Sequence, residues 1–105
     1  MNLSTRFPAK IEDVADYLGR TVRAASADPF ECRVCWEFLR DPDIAAKLVR
    51  LAVDPCQVTL VCALLRDAVS FLEDSTNEGR FNTALARLKW STSGLGGGLP
   101  KPITG

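Results

Sequence analysis

Apolar residues recur at three- and four-residue steps along most of this chain, and no stretch alternates polar and apolar positions long enough to make a strand. Ile11, Val14, Leu18 and Val22 share one helical face and predict a first helix from about Pro8 to Ala25. A second run begins at Asp28-Pro29, carries Glu31 in its first turn and offers Phe30, Val34, Cys35, Phe38 and Leu39 for burial. A third opens at Asp41-Pro42 with Ile44, Leu48 and Leu51 as its inner stripe. The fourth runs from Asp54-Pro55 to about Glu73, with Val58, Val61, Leu65, Val69 and Leu72 on one stripe and Leu60, Leu64 and Phe71 on another. Ser75 to Gly79 reads as a loop, and a last helix, Arg80 to Trp90, turns Phe81, Leu85 and Leu88 inward.

The three Asp-Pro pairs stand thirteen residues apart. Asp accepts a hydrogen bond from the free N–H groups of a first helical turn, and Pro fits just after it because its missing N–H would have been unpaired there. The middle of the chain therefore predicts helix following helix with almost no loop. Pro42 either ends the preceding helix or kinks a longer one, since an interior Pro costs roughly 3 kcal/mol but packing can compensate. The fold class expected is all-α, a bundle of short helices completed by homodimerisation. The fourth helix motivates the dimer, because Thr59, Arg66, Ser70 and Glu73 give it a narrow polar edge, and a helix apolar on most of its circumference wants cover from several sides. Residues 1–91 are expected to form one helical domain, and 92–105, with Gly96-Gly97-Gly98, a flexible tail.

Composition narrows the function more than it names it. Thirteen basic and thirteen acidic residues leave no net charge, so no overall field draws the chain to a polyanion; locally, though, Arg80, Arg87, Lys89 and Lys101 follow Glu78 with no acid among them. Residues 1–15 hold no apolar core of signal-peptide length, and charges interrupt every apolar run, which predicts a soluble cytoplasmic protein without membrane partners and with reduced thiols. Cys32 and Cys35 form a Cys-x-x-Cys pair, but within a helix, and Cys56 and Cys62 have five residues between them rather than forming a second knuckle; core packing is the favoured role and no metal is expected. There is no histidine, nucleophile elbow or phosphate-cradling glycine loop, so neither enzyme activity nor a cofactor is expected.

The remaining feature is basic. Arg33, Arg40 and Lys47 stand seven apart with Arg50 close by, so a helix continuous through Pro42 would line them up as cations along a phosphate backbone. Glu37, Asp41 and Asp43 lie among them, and the alternative is a solvated face of mutual ion pairs. Asp16 and Arg20, four apart, are expected to make a weak surface pair. Trp36 is expected in the core or a dimer seam, and Trp90 over a helix end.

The segments Phe7-Pro8-Ala9-Lys10-Ile11-Glu12, Ala27-Asp28-Pro29, Glu37-Phe38-Leu39 and Phe71-Leu72-Glu73, with the closing Leu88-Lys89-Trp90-Ser91, resemble the small RNA-silencing suppressors of nodaviruses over most of residues 7–91. That resemblance implies helical hairpins, dimerised antiparallel into a four-helix bundle, with one long face laid along double-stranded RNA. It also implies one long second helix, within which Pro42 and Pro55 would fall. The implied function is to shield long duplexes from the host's dicing nuclease and to sequester small interfering RNAs without reading sequence, with host RNA-silencing proteins as a further class of partner. A-form RNA suits such binding, because its deep major groove is closed to side chains while phosphates and 2′-hydroxyls stay accessible. Carried onto this chain, the basic residues of the family's second helix fall on Arg33, Arg40, Lys47 and Arg50, with Arg23 added from the first helix. The competing class is a protein-interaction module of short helices, armadillo-like or death-fold-like, in which those cations pair with Glu37, Asp41 and Asp43 and no nucleic acid is bound.

Overall fold

A computed structural model of the chain describes residues 7–92, which hold five α-helices: α1 (Val14–Ser26), α2 (Pro29–Arg40), α3 (Pro42–Arg50), α4 (Pro55–Glu73) and α5 (Glu78–Thr92). No strand occurs among the described residues, in agreement with the all-α reading. The expected tail lies outside the described residues from position 93 onward.

Each Asp-Pro pair opens a helix by the same local chemistry. The Asp28 carboxylate accepts from Phe30 N (2.9 Å) and Glu31 N (3.3 Å), Asp41 from Asp43 N (2.9 Å) and Asp54 from Gln57 N (2.9 Å), each with the proline in the first turn. Pro42 ends a helix rather than kinking one: Asp41 is extended at φ −74° and ψ 120°, and it serves at once as the last cap of α2 and the first of α3. The long second helix implied by the resemblance is therefore divided in this chain. The first helix starts later than its apolar spacing predicts. Lys10 is extended and supplies no side-chain cap, and a 3-10 turn over Ile11–Asp13 leads into α1. A second 3-10 turn, Ser75–Asn77, replaces most of the expected loop before α5.

α4 is the central helix, packed by all four others and most extensively by α5. Its inner positions are thus covered within one chain, while Val58, Leu60, Val69 and Leu72 are half-buried. By length and mean hydropathy alone the same segment is long and apolar enough to cross a membrane, unlike the sequence-based expectation, yet Val61, Leu64, Leu65, Ala68 and Phe71 are buried against its neighbours. α4 and α5 run antiparallel and are tied at both ends. At one end buried Gln57 accepts from Val53 N (2.9 Å) and donates to Ser91 O (3.5 Å); at the other, the Asn77 amide donates to Ser70 Oγ (2.6 Å).

The core under this layer is filled by Leu18, Val22, Leu48, Leu64, Phe81 and Leu88, all fully enclosed. Phe81 stacks on Phe71 with ring centroids 5.4 Å apart, and Phe7, Tyr17 and Phe38 form an edge-to-face chain at 6.1 and 6.2 Å. α2 departs from its expected inner face: Cys35 and Leu39 are buried, whereas Phe30 is 64% exposed and Val34 faces outward.

Candidate nucleic-acid interface

The division at Asp41 changes what the seven-residue spacing means. Arg33 and Arg40 still share one flank of α2, because seven residues nearly close two helical turns. Lys47 and Arg50 ride on the next helix, with Asp43 on the same outward side of α3 opposite buried Leu48. The four cations therefore form two pairs on consecutive helices, not one stripe. All four are exposed, and among the described residues none lies within 4.0 Å of a carboxylate. The alternative of mutual pairing with Glu37, Asp41 and Asp43 is not the arrangement adopted; the Asp41 carboxylate instead caps a helix.

Arg40 is held from one side. Its guanidinium carbon sits 4.3 Å from the Trp36 ring centroid, and the Trp36 Nε1–H donates to Glu73 Oε2 of α4 (3.1 Å). A cation–π contact consumes no N–H donor, so the guanidinium is positioned while its five donors stay available. Trp36 is thus a half-buried strut between α2 and α4.

Arg23 is placed differently. It pairs with Glu78 (3.3 Å), donates to the Asn82 side-chain Oδ1 and lies 5.8 Å from the Phe81 ring centroid, all on α5. Its donors are directed into the α1–α5 seam. Lys89 closes the same seam on Asp16 (3.0 Å), so Asp16 pairs across helices rather than with Arg20 as its spacing predicts.

Sequence spacing missed a second group of cations. A groove of about 430 Å³ between α4 and α5 is lined by Arg66, Arg80 and Arg87, with Leu60, Ala63 and Ala84 below and Asp67 as its one carboxylate. Arg66 engages Asp67 weakly, at 3.3 and 3.4 Å; Arg80 and Arg87 are exposed and have no carboxylate within 4.0 Å among the described residues. Arg66 also borders a groove of about 420 Å³ on the other side of α4, shared with Arg40 and Glu73. The signal was present in the sequence: Arg80 and Arg87 are themselves seven apart, on the segment free of acids.

The thiols divide by burial. Cys35 packs in the core, where loss of solvent, reinforced by neighbouring Cys32 and Glu31, pushes its thiol up to about 12. Burial likewise raises the Tyr17 hydroxyl to about 12. Cys32 is half-buried beside the Leu72 carbonyl (3.9 Å), whereas Cys56 and Cys62 are exposed on α4 and do not serve the core. Among the described residues no three His, Cys, Asp or Glu side chains gather as a metal set.

No family model, no curated protein and no solved structure matches the chain.

Proposed function

We propose that this chain binds double-stranded RNA independently of sequence, through phosphate contacts from Arg33, Arg40, Lys47 and Arg50, and thereby suppresses RNA silencing by covering long duplexes and sequestering small interfering RNAs. The observation that carries the reading is the state of those four cations: exposed, on consecutive helices, and without carboxylate partners among the described residues. Cations in that state can neutralise phosphates and release counterions, the main source of sequence-independent affinity. What selects an RNA duplex among polyanions is the resemblance to the nodavirus suppressors over residues 7–91. Arg23, engaged by Glu78 and Asn82, is assigned the smallest part.

A gel shift with short duplexes tests it. The protein should retard duplex RNA at moderate salt and bind duplex DNA less well; no complex, or equal binding to both, contradicts the reading. Arg40→Ala with Lys47→Ala should weaken binding evenly across sequences and lower the salt slope by about two, one unit per lost phosphate contact.

One observation favours a second reading, a protein-interaction module without nucleic-acid binding. Phe30 and Val34 stand one turn apart on the outward side of α2, 64% and 37% exposed. If the chain dimerises, the same pair offers a seat for a second copy on α2. Light scattering should report a dimer that Phe30→Glu converts to monomer. A thermal melt separates the two functions: added duplex raises the midpoint of an RNA binder and leaves that of the module unchanged.

A further inference from the structure

We infer that the α4–α5 groove is a second phosphate track, continuous with Arg40 across α4, in which Arg66, Arg80 and Arg87 hold the backbone of one strand of the duplex; this rests on the RNA-binding reading above. Three observations carry it. First, Arg66 borders both grooves, so Arg40 on one side of α4 and Arg80 and Arg87 on the other form a connected row of guanidinium groups. Second, the row keeps an excess of positive charge: Arg40, Arg66, Arg80 and Arg87 share the two grooves with only two carboxylates, Asp67, which Arg66 engages, and Glu73. Third, Arg80 and Arg87 are two helical turns apart, about 10.5 Å along the axis, which suits an extended backbone rather than a single bound anion.

The floor favours phosphates over an acidic helix. A docked amphipathic helix takes its affinity from large apolar anchors in an apolar groove, and here Leu60 is the one large apolar side chain among Ala63, Ala84 and other small residues. Small residues instead let a sugar-phosphate chain approach until the guanidinium donors reach its oxygens, and Arg can meet a phosphate with two parallel N–H donors.

The test is fluorescence anisotropy of a labelled RNA duplex over a salt series, with wild-type protein, Arg80→Ala/Arg87→Ala and Arg80→Lys/Arg87→Lys. Both positions are exposed, so the helical circular dichroism and melting midpoint of the variants should match wild type. The alanine pair should bind about tenfold more weakly near physiological salt, with a salt slope smaller by about two, while the lysine pair keeps the wild-type slope. A wild-type complex unchanged in affinity and slope by the alanine pair overturns this inference and leaves the RNA reading standing. No complex with the wild-type protein overturns both. Polyglutamate binding tighter than the duplex, and lost in the alanine pair, assigns the groove to an acidic protein and overturns it as well.

Discussion

Two regions use the same kinds of cation for opposite ends. In the α1–α5 seam, Arg23 and Lys89 reach across to Glu78 and Asp16, and the Arg23 guanidinium also lies over the Phe81 ring. On α2, α3 and the α4–α5 groove, Arg33, Arg40, Lys47, Arg50, Arg80 and Arg87 have no carboxylate within 4.0 Å among the described residues. A chain with balanced charge can thus be locally unbalanced, because what matters to a ligand is where the carboxylate oxygens point. Near the open cations the carboxylates make no ion pair with them: Asp41 accepts from a backbone N–H and Glu73 from Trp36, while Glu37 and Asp43 lie beyond 4.0 Å of any of the six. Exposed pairs like those of the seam contribute about 0–1 kcal/mol each, so the seam is held by the apolar core beneath it.

That last point sets the largest expected effect. Phe81→Ala removes a fully buried ring stacked on Phe71 and should cost about 3–5 kcal/mol in chemical denaturation. A loss under about 1 kcal/mol would mean that the polar pairs, not the core, hold α5 in place.

The next effect separates core from open cations by pH. Cys35 and Tyr17 are raised in the folded state from ordinary values of 9.0 and 10.0 to about 12. A raised folded value means that the group's contribution is fully present below its unfolded value and is lost as pH climbs through the folded one. Stability should therefore hold up to about pH 9 and fall steadily towards pH 12, by about 1.4 kcal/mol per unit for each group titrating in that window. Arginine keeps its charge across this window, so the fall reports the buried groups and not the open guanidinium groups. A flat denaturation midpoint from pH 8.5 to 11 would contradict the burial assigned to both groups.

Asp41 sharpens the comparison at smaller cost, because it caps α3 while sitting between the open pairs. Asp41→Asn keeps a capping side chain and removes a negative charge; it should leave stability nearly unchanged and tighten duplex binding. Asp41→Ala should tighten binding too, but lower stability by about 1 kcal/mol. Weaker binding by the asparagine variant would show that the carboxylate is not opposing a polyanion.

What could be read from the sequence divides along the same line between local and tertiary physics. The three Asp caps were legible because a cap is made within three residues of itself, and the inner positions of α1, α3 and α4 were legible from their period. Whether Pro42 breaks a helix was not, since that depends on Asp41 adopting an extended backbone between two helix ends. Asp16 looked committed to Arg20 at four residues' spacing, yet the packing of α1 on α5 brings Lys89 to it instead. Phe30 and Val34 were placed inside because spacing gives a helix a face without saying which side its neighbours take. The grooves beside Arg66 exist only once α4 is laid against α5 on one side and α2 and α3 on the other, so no spacing within one helix could show them.

The most direct test of open against seam cations is the salt dependence of RNA-duplex affinity in two charge-matched double variants, Arg40→Ala/Arg87→Ala from the open surface and Arg23→Ala/Lys89→Ala from the seam. Each removes two positive charges, so any general field effect is equal. The account predicts that the open-surface pair lowers the slope of log affinity against log salt by about two while the seam pair lowers it by well under about one. Equal slopes in the two variants, or the larger drop in the seam pair, would contradict it.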